Sequence, residues 1–169
     1  FRAVLFIYNL LLPIFFVLSA PAYFIKMVRR GNFRRGFSQR LGVYGKETKA
    51  LLNSQRENPI WMHAVSVGEV MVAFKLIKKL REQDPKQSIV LSCTTATGYQ
   101  LALDRQGEDF VAIYNPFDFP IPVFLAFETI RPRLLVLVEA EMWPNVFWAA
   151  KRHEVPIALV NARLSPRSA

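Results

Sequence analysis

The sequence predicts an α/β domain built on a parallel β-sheet, preceded by a hydrophobic helix that anchors the chain to a membrane. Two observations support this fold class. Apolar runs alternate with helix-like stretches throughout residues 59–169, and four of the five runs are nearly continuous, as is typical of parallel strands covered on both faces. Ahead of them, residues 3–25 contain no charged side chain.

The uncharged segment at residues 3–25 has the length of a membrane anchor. A helix of this length covers roughly 34 Å, and the hydrocarbon core of a bilayer is about 30 Å thick. Pro13 and Pro21 would kink such a helix, so a helix that lies in the membrane interface remains an alternative to one that spans. A cleavable signal peptide is a third interpretation, because Ala20-Pro21-Ala22 has the form of a cleavage site.

Positive charge is concentrated next to this segment. Residues 1–46 carry eight Lys and Arg side chains and no acid, whereas residues 47–169 carry 14 basic and 13 acidic ones. Such a cluster favours the cytoplasmic side of a membrane and attracts anionic headgroups, and its local character argues against a nucleic-acid partner. We therefore expect an anchor at 1–25, a basic membrane-proximal linker and helix at 26–58, and a globular domain at 59–169. The cations expected at the membrane are Lys26, Arg29, Arg30, Arg34, Arg35, Arg40 and Lys46.

The globular part is predicted to alternate between strands and helices. A polar helix within residues 47–58 comes first, and Pro59 returns the chain to extended structure. The five predicted strands cover residues 59–65, 88–93, 110–114, 133–138 and 155–160. The helices between them are predicted over residues 68–83, 99–105, 122–130 and 144–153. The single cysteine, Cys93, falls in the second strand, so no disulfide can form within the chain.

The turn after the first strand contains the strongest local motif, Ser66-Val67-Gly68-Glu69. Its serine and glutamate have the spacing of a capping box, in which each side chain satisfies a backbone amide of the other residue. The same glutamate would lie at the carboxyl end of a parallel strand, where ligands bind in open α/β sheets. From the spacing alone, capping and chemistry both remain open for Glu69.

Three further turns are expected at the same edge, since the carboxyl ends of parallel strands lie together. Glu139 follows the fourth strand directly and needs solvent or a partner, for which Arg163 is a candidate. Glu139 and Glu141 are also both explained by the preference for acids near a helix N-terminus. The second strand contributes residues 94–98 to this edge and the fifth contributes residues 161–163.

Other polar and aromatic residues are assigned to the interior. His63 within the first strand is interpreted as a satisfied core histidine, and Trp143 as a packing residue. The sequence has no His, Cys or carboxylate spacing that would bind zinc, and no glycine-rich phosphate loop follows a strand. We therefore expect neither a metal ion nor a cofactor.

Four stretches together resemble one known family. They are Ile60-Trp61-Met62-His63-Ala64-Val65-Ser66-Val67-Gly68-Glu69, Thr94-Thr95-Ala96-Thr97-Gly98, Glu139-Ala140-Glu141-Met142-Trp143-Pro144-Asn145 and Asn161-Ala162-Arg163-Leu164-Ser165. In order and spacing they are similar to the 3-deoxy-D-manno-oct-2-ulosonic acid (Kdo) transferases of Gram-negative lipopolysaccharide synthesis. The similarity includes the hydrophobic anchor and Gln39-Arg40-Leu41-Gly42.

The resemblance implies a GT-B glycosyltransferase, in which two Rossmann-like domains face a cleft. This chain would be the N-terminal half, which binds a lipid A precursor. The C-terminal half, which binds CMP-Kdo, would be missing, so we expect the chain alone to be inactive. The family would place the protein at the cytoplasmic face of the cell inner membrane, beside the inner leaflet that holds its acceptor.

The resemblance also implies a mechanism and a set of site residues. Transfer would be inverting and metal-independent, with Glu69 as the general base and Glu139 as a second required carboxylate. The other cleft positions are Ser66, Gly68, Thr95, Thr97, Gly98, Glu141, Asn161 and Arg163. Two other functions stay open: a membrane-associated GT-B transferase with a different acceptor, and a non-catalytic lipid-binding module.

Overall fold

The computed structural model describes residues 2–29, 36–54, 58–107, 109–139 and 143–162. The strands are β1 (Ile60–Ala64), β2 (Ile89–Cys93), β3 (Val111–Tyr114), β4 (Leu134–Val138) and β5 (Ile157–Val160). The helices are α1 (Arg2–Arg29), α2 (Phe37–Arg40), α3 (Lys46–Ser54), α4 (Val67–Gln83), α5 (Ala96–Asp104), α6 (Pro120–Ile130) and α7 (Pro144–Arg152).

The five strands form one parallel sheet in the order β3-β2-β1-β4-β5. Helices cover both faces, so the predicted α/β class with a parallel sheet is confirmed. One core lies beneath α4 and α5 and includes Met62, Leu91 and Val136. The other lies beneath α6 and α7 and is centred on Trp61, whose ring stands edge-on to Phe127 at 5.1 Å between centroids. All five residues of the central strand β1 are buried, which explains why all of them except His63 are apolar.

Each predicted strand is present, but each begins one or two residues later than expected. At β5 the reason is visible, because the N–H of Val155 still bonds the carbonyl of Ala150 and closes the end of α7. Helix α5 begins at Ala96, earlier than the predicted residue 99, since Thr95 caps it. Helix α6 begins at Pro120, where a missing amide leaves no hydrogen bond unmade. Residues 55–57 of the predicted polar helix lie outside the described residues.

The hydrophobic segment forms the continuous helix α1, which includes Pro13. Among the described residues, no helix combines the length and the hydrophobicity needed to cross a membrane. Residues of α1 that are three or four positions apart, Leu5, Tyr8 and Leu12, are partly buried against the domain.

A polar cluster holds α1 against the domain. The Tyr8 hydroxyl donates to Oδ2 of Asp118 at 2.9 Å, and the side-chain amides of Asn9 and Asn145 exchange two hydrogen bonds at 3.0 and 2.8 Å. Asp118 also accepts from the backbone amides of Asn145 and Val146, at 3.2 and 3.0 Å. Because no side chain of its own segment caps α7, Asp118 takes that role and links the helix to α1. Burial raises the pKa of Asp118 to about 6.

The opposite face of α1 is apolar and exposed. Phe15 and Leu18 are 70% and 76% exposed, far more than large apolar side chains in a protein core. The other exposed apolar residues of this face are Val4, Phe6, Ile7, Leu10, Leu11, Ile14 and Val17. Such a contiguous apolar surface marks a site of interaction.

The raised pKa of Asp118 predicts a pH-dependent contribution to stability. Between the usual carboxyl pKa of 3.8 and about 6, the folded protein binds more protons at this site than the unfolded chain. The contribution of Asp118 to the free energy of unfolding therefore falls as the pH rises through this window, and is constant above it. Urea unfolding of the wild type and of Asp118→Asn at pH 4, 5, 6 and 7 measures the difference.

We expect the wild type to lose stability relative to Asp118→Asn from pH 4 to pH 6. The comparison of the two proteins cancels the opposing contribution of His63, whose pKa burial lowers to about 4. A difference in unfolding free energy that is independent of pH would contradict the assignment.

Candidate functional site

The carboxyl edge of the sheet brings together the turns that the sequence singled out. The turn after β1 leads to Glu69, and the turn after β2 contains Thr95. Strands β4 and β5 are followed directly by Glu139 and Asn161. Since β1 is hydrogen-bonded to both β2 and β4, the first three turns belong to neighbouring strands about 4.8 Å apart. The predicted convergence of these turns is confirmed.

Glu69 is held by a complete capping box. The carboxylate accepts from the Val65 amide at Oε2, at 2.7 Å, and from the amide and hydroxyl of Ser66 at Oε1, at 3.2 and 2.7 Å. In return, the Glu69 amide donates to the Ser66 hydroxyl at 3.4 Å. Only 7% of the residue is exposed. The capping interpretation of the motif is therefore confirmed, and the position of the carboxylate is fixed by three donors.

Capping does not remove the ability of Glu69 to accept a proton. A carboxylate has about four lone-pair sites, two on each oxygen. Oε1 accepts two hydrogen bonds and Oε2 accepts one, from Val65. One acceptor site on Oε2 is thus left by the capping box, while the orientation of the carboxylate is fixed.

Thr95 joins the turn after β2 to the turn after β1. Its hydroxyl donates to the Val65 carbonyl at 2.8 Å, its amide donates to the same carbonyl at 3.2 Å, and its hydroxyl caps α5 by accepting from the Gly98 amide at 3.2 Å. Gly98 makes this approach possible. A Cβ at that position would lie 2.9 Å from the Thr95 hydroxyl oxygen and 3.5 Å from the Val65 carbonyl.

Glu139 and Asn161 form a second pair at the same edge. Both have left-handed backbone conformations, with φ of 71° and 56°, and the asparagine amide donates to Oε1 of the glutamate at 3.3 Å. The Glu139 amide also donates to the Val160 carbonyl at 2.9 Å. A non-glycine residue in this region costs roughly 1–2 kcal/mol, and asparagine tolerates it better than glutamate does. The same left-handed conformation occurs at Asn58, Arg131 and Glu154, which precede strands at the opposite edge of the sheet.

The remaining predicted cleft residues have different outcomes. Gly68 and Thr97 are described and exposed, and a Cβ on Gly68 would meet only the Ser66 hydroxyl at 3.8 Å. Glu141 and Arg163 lie outside the described residues, so the proposed pairing of Arg163 with Glu139 stays a prediction. Within the described part of the chain, no three His, Cys, Asp or Glu side chains lie close enough together to hold a metal ion.

His63 and Trp143 are interior residues, as predicted. The imidazole is 3% exposed and its Nδ1 lies 3.0 Å from the Ser92 hydroxyl, while burial lowers its pKa to about 4. The ring is therefore neutral at physiological pH. Its Nε2 has no hydrogen-bond partner among the described residues. The prediction of a histidine with both nitrogens hydrogen-bonded therefore holds for Nδ1 only. Trp143 packs against the α6 and α7 core.

The assignment of Arg40 to the membrane-facing cations is wrong. Arg40 is 7% exposed, its guanidinium carbon lies 4.1 Å from the centre of the Tyr114 ring, and its Nη2 donates to the Thr94 carbonyl at 2.8 Å. The side chain is drawn into the domain because planar stacking and a carbonyl acceptor replace much of its hydration. Gly42 lies two residues after Arg40. Its left-handed φ of 74° shows that the chain makes a tight turn against the domain at this point.

Comparison with known proteins gives a consistent result. Residues 35–169 match the family described as 3-deoxy-D-manno-octulosonic-acid transferase (kdotransferase). Proteins named 3-deoxy-D-manno-octulosonic acid transferase from Haemophilus influenzae and Bordetella pertussis are 32% and 34% identical over 144 and 161 residues. These alignments cover 84% and 88% of this chain but 32% and 36% of the relatives. The chain therefore spans about a third of the length of the relatives that it matches.

A further relative is the protein named bifunctional glycosyltransferase/methyltransferase of Fusobacterium nucleatum. It is 37% identical over 114 residues, which is 66% of this chain and 18% of that protein. The names of all three relatives therefore describe a transferase, and the Fusobacterium protein is also named as a methyltransferase.

The contact between the two turns predicts opposite effects of alanine at two helical glycines. Gly98→Ala is expected to destabilise the protein by about 1–3 kcal/mol, because the new methyl group displaces the Thr95 hydroxyl from Val65. Gly68→Ala is the matched control. Alanine there meets only the Ser66 hydroxyl, at an ordinary contact distance of 3.8 Å, and should stabilise the helix by up to about 1 kcal/mol. Thermal unfolding of both variants measures the effects, and equal shifts of the same sign would contradict the tight contact at Gly98.

Proposed function

Because the chain belongs to the 3-deoxy-D-manno-octulosonic-acid transferase family, we propose that it is the acceptor-binding half of an enzyme that transfers Kdo from CMP-Kdo to a lipid A precursor. The names of the Haemophilus and Bordetella relatives support the transferred sugar. The donor, the acceptor and the GT-B arrangement of two Rossmann-like domains are part of the proposal. In this proposal the CMP-Kdo site belongs to a second domain, similar to the part of those relatives that this chain does not cover.

One observation supports this function most directly: a carboxylate fixed at the carboxyl end of the central strand with an acceptor site left on Oε2. In the proposed reaction, Glu69 takes the proton of an acceptor hydroxyl while the hydroxyl oxygen forms a bond to the anomeric carbon of Kdo. The bond from that carbon to the phosphate oxygen breaks, and CMP leaves from the opposite face. The configuration at the anomeric carbon is therefore inverted.

Glu139 is proposed to act beside this base. The neighbouring parallel strands β1 and β4 pair His63 with Leu137. Val65 and Glu139 each follow this pair by two residues, so they lie at the same end of adjacent strands. The carboxylate of Glu139 accepts a hydrogen bond from Asn161 and is suited to accept another from the acceptor sugar, which would orient the sugar hydroxyl.

Replacement of Glu139 by Gln would remove the charge while leaving the backbone unchanged, and should lower kcat. Unchanged kcat in Glu139→Gln would contradict this role.

No metal ion or cofactor enters the proposed reaction. Cytidine monophosphate leaves as a phosphate monoester anion, and the chain's own contribution is a base and an oriented acceptor. Full activity in the presence of a chelator is the corresponding expectation, and loss of activity that added magnesium restores would contradict it.

The exposed face of α1 is proposed to lie in the cytoplasmic surface of the inner membrane. A lipid acceptor stays in the membrane, so the enzyme has to approach it there. The apolar face supplies buried area and the basic run at residues 26–35 supplies attraction to anionic headgroups. Because Asp118 and Asn145 connect α1 to α7, this arrangement would hold the domain at a fixed position against the lipid.

A transferase with a different acceptor is the second candidate; the printed name of the Fusobacterium relative gives glycosyl transfer as its reaction and specifies no substrate. This candidate shares the base and the membrane contact with the first. An assay of the full-length protein with CMP-Kdo and lipid A precursor separates the two, because only the first predicts a Kdo-lipid product.

The base assignment predicts that Glu69→Gln in the full-length protein lowers kcat by about 10²–10⁴-fold. Glutamine can keep the two bonds from Ser66 through its single side-chain oxygen and loses the bond from the Val65 amide, so the fold should be retained with a modest loss of stability. Ser66→Ala is the control, since it removes the cap and costs about 0.5–2 kcal/mol of stability while the carboxylate remains. Kdo transfer and thermal unfolding are measured together. Undiminished transfer by Glu69→Gln would favour the non-catalytic lipid-binding module.

The membrane assignment predicts that the double substitution Phe15→Glu and Leu18→Glu weakens binding to anionic lipid vesicles by about tenfold or more, since each apolar side chain contributes about 1.5–3 kcal/mol on burial. Met71→Glu, on α4 at the other face of the sheet, is the matched control. Vesicle sedimentation at low and high salt measures both effects. If the double variant binds the vesicles as tightly as Met71→Glu does, α1 does not contact the lipid.

A further inference from the structure

Arg40 is a buried cation that forms no ion pair with any residue that the structure describes. Among the described residues its side chain makes one hydrogen bond, to the Thr94 carbonyl, and stacks at 4.1 and 5.8 Å on the rings of Tyr114 and Phe117. The ion pairs of the described chain involve other residues. Removing a guanidinium from water costs free energy unless its new contacts offset the cost. The contacts of Arg40 therefore indicate what this burial achieves.

Two of the three contacts of the Arg40 side chain, those with Thr94 and Tyr114, lead to α5. The Thr94 carbonyl lies directly before the helix, next to the capping residue Thr95. Tyr114 stacks in turn on Tyr99 of α5, with 3.8 Å between ring centroids. The backbone of Arg40 is itself fixed, because its carbonyl accepts from the Phe117 amide at 2.7 Å. The guanidinium thus contacts the turn that precedes α5 directly at Thr94, and contacts α5 itself indirectly through the ring of Tyr114.

That turn holds one peptide group next to Glu69. Thr95 donates twice to the Val65 carbonyl, through its hydroxyl and its amide. The same peptide unit carries the Ser66 amide, which donates to Oε1 of Glu69 at 3.2 Å. Because a peptide unit is planar and rigid, holding its oxygen also fixes the direction of its N–H. A continuous series of contacts therefore runs from Arg40 through Thr94 and Thr95 to the carboxylate.

We infer that Arg40 is a positioning residue for Glu69: it fixes the turn before α5, and through the Val65–Ser66 peptide that turn sets the orientation of the carboxylate. The inference rests on the proposed role of Glu69 as the base. Arginine suits the position because its planar group stacks on Tyr114 while it donates to a carbonyl, and lysine can make only the second contact in the same way. The effect belongs to the chemical step, since the donor is bound elsewhere.

The test uses the full-length protein with CMP-Kdo and lipid A precursor. Arg40→Met is expected to lower kcat by about tenfold or more, since misplacement of a group by about 1 Å can cost about 10²-fold, while the KM for CMP-Kdo stays within about twofold. Arg40→Lys should recover part of the loss. Arg105→Met is the matched control, because Arg105 also stacks on a ring, that of Phe74 at 4.9 Å, but belongs to an exposed position away from the edge.

A double-mutant cycle separates positioning from a general loss of stability. If Arg40 acts through the turn, Thr95→Val and Arg40→Met together lower kcat by less than the product of the two single effects. Should Arg40→Met fail to fold, Arg40→Lys takes its place in the cycle.

The inference is overturned if the wild type transfers Kdo and the Arg40 variants keep its kcat, or if their loss multiplies independently with that of Thr95→Val. A wild type that transfers no Kdo contradicts the proposed function instead.

Discussion

The site depends on the peptide group between Val65 and Ser66. Its oxygen accepts two hydrogen bonds from Thr95, and its N–H donates to Glu69. One rigid unit therefore fixes the relation between two neighbouring strand ends and the carboxylate. The capping box and the proposed base are one structure, because the donors that complete the cap also hold the carboxylate at the sheet edge. Gly98 makes the arrangement possible by leaving space for Thr95.

The sequence predicts the parts of this arrangement that follow from local spacing and burial. Nearly continuous apolar runs indicate a parallel sheet, and the sheet places the turns at one edge. The spacing of Ser66 and Glu69 indicates the capping box. The contact of Thr95 with Val65 is different, since these residues are 30 positions apart and no periodic pattern connects them. The early start of α5 has a local origin instead, because the Thr95 hydroxyl accepts from the Gly98 amide and caps the helix, whereas the sequence prediction placed Thr95 in a turn.

Charge and position along the chain gave the wrong environment for Arg40. Its density of basic neighbours predicts solvent or lipid headgroups, but two aromatic rings and a carbonyl draw it into the domain. The attachment of α1 was also beyond sequence reasoning, because Tyr8 and Asp118 are 110 residues apart. Asn145 ends a stretch assigned to the cleft, yet it bonds Asn9. A contact between distant polar residues leaves no mark in hydrophobic spacing, and so has to be read from the structure.

The central claim is that a carboxylate held by a capping box still receives the acceptor proton through Oε2. The most direct measurement is a crystal structure of the full-length protein with a lipid A precursor and an unreactive CMP-Kdo analogue. The account predicts an acceptor hydroxyl about 2.6–3.2 Å from Oε2 of Glu69, with the bonds from Val65 and Ser66 intact. An acceptor hydroxyl that instead bonds Glu139 and lies beyond the reach of Glu69, directly or through one water, would contradict it.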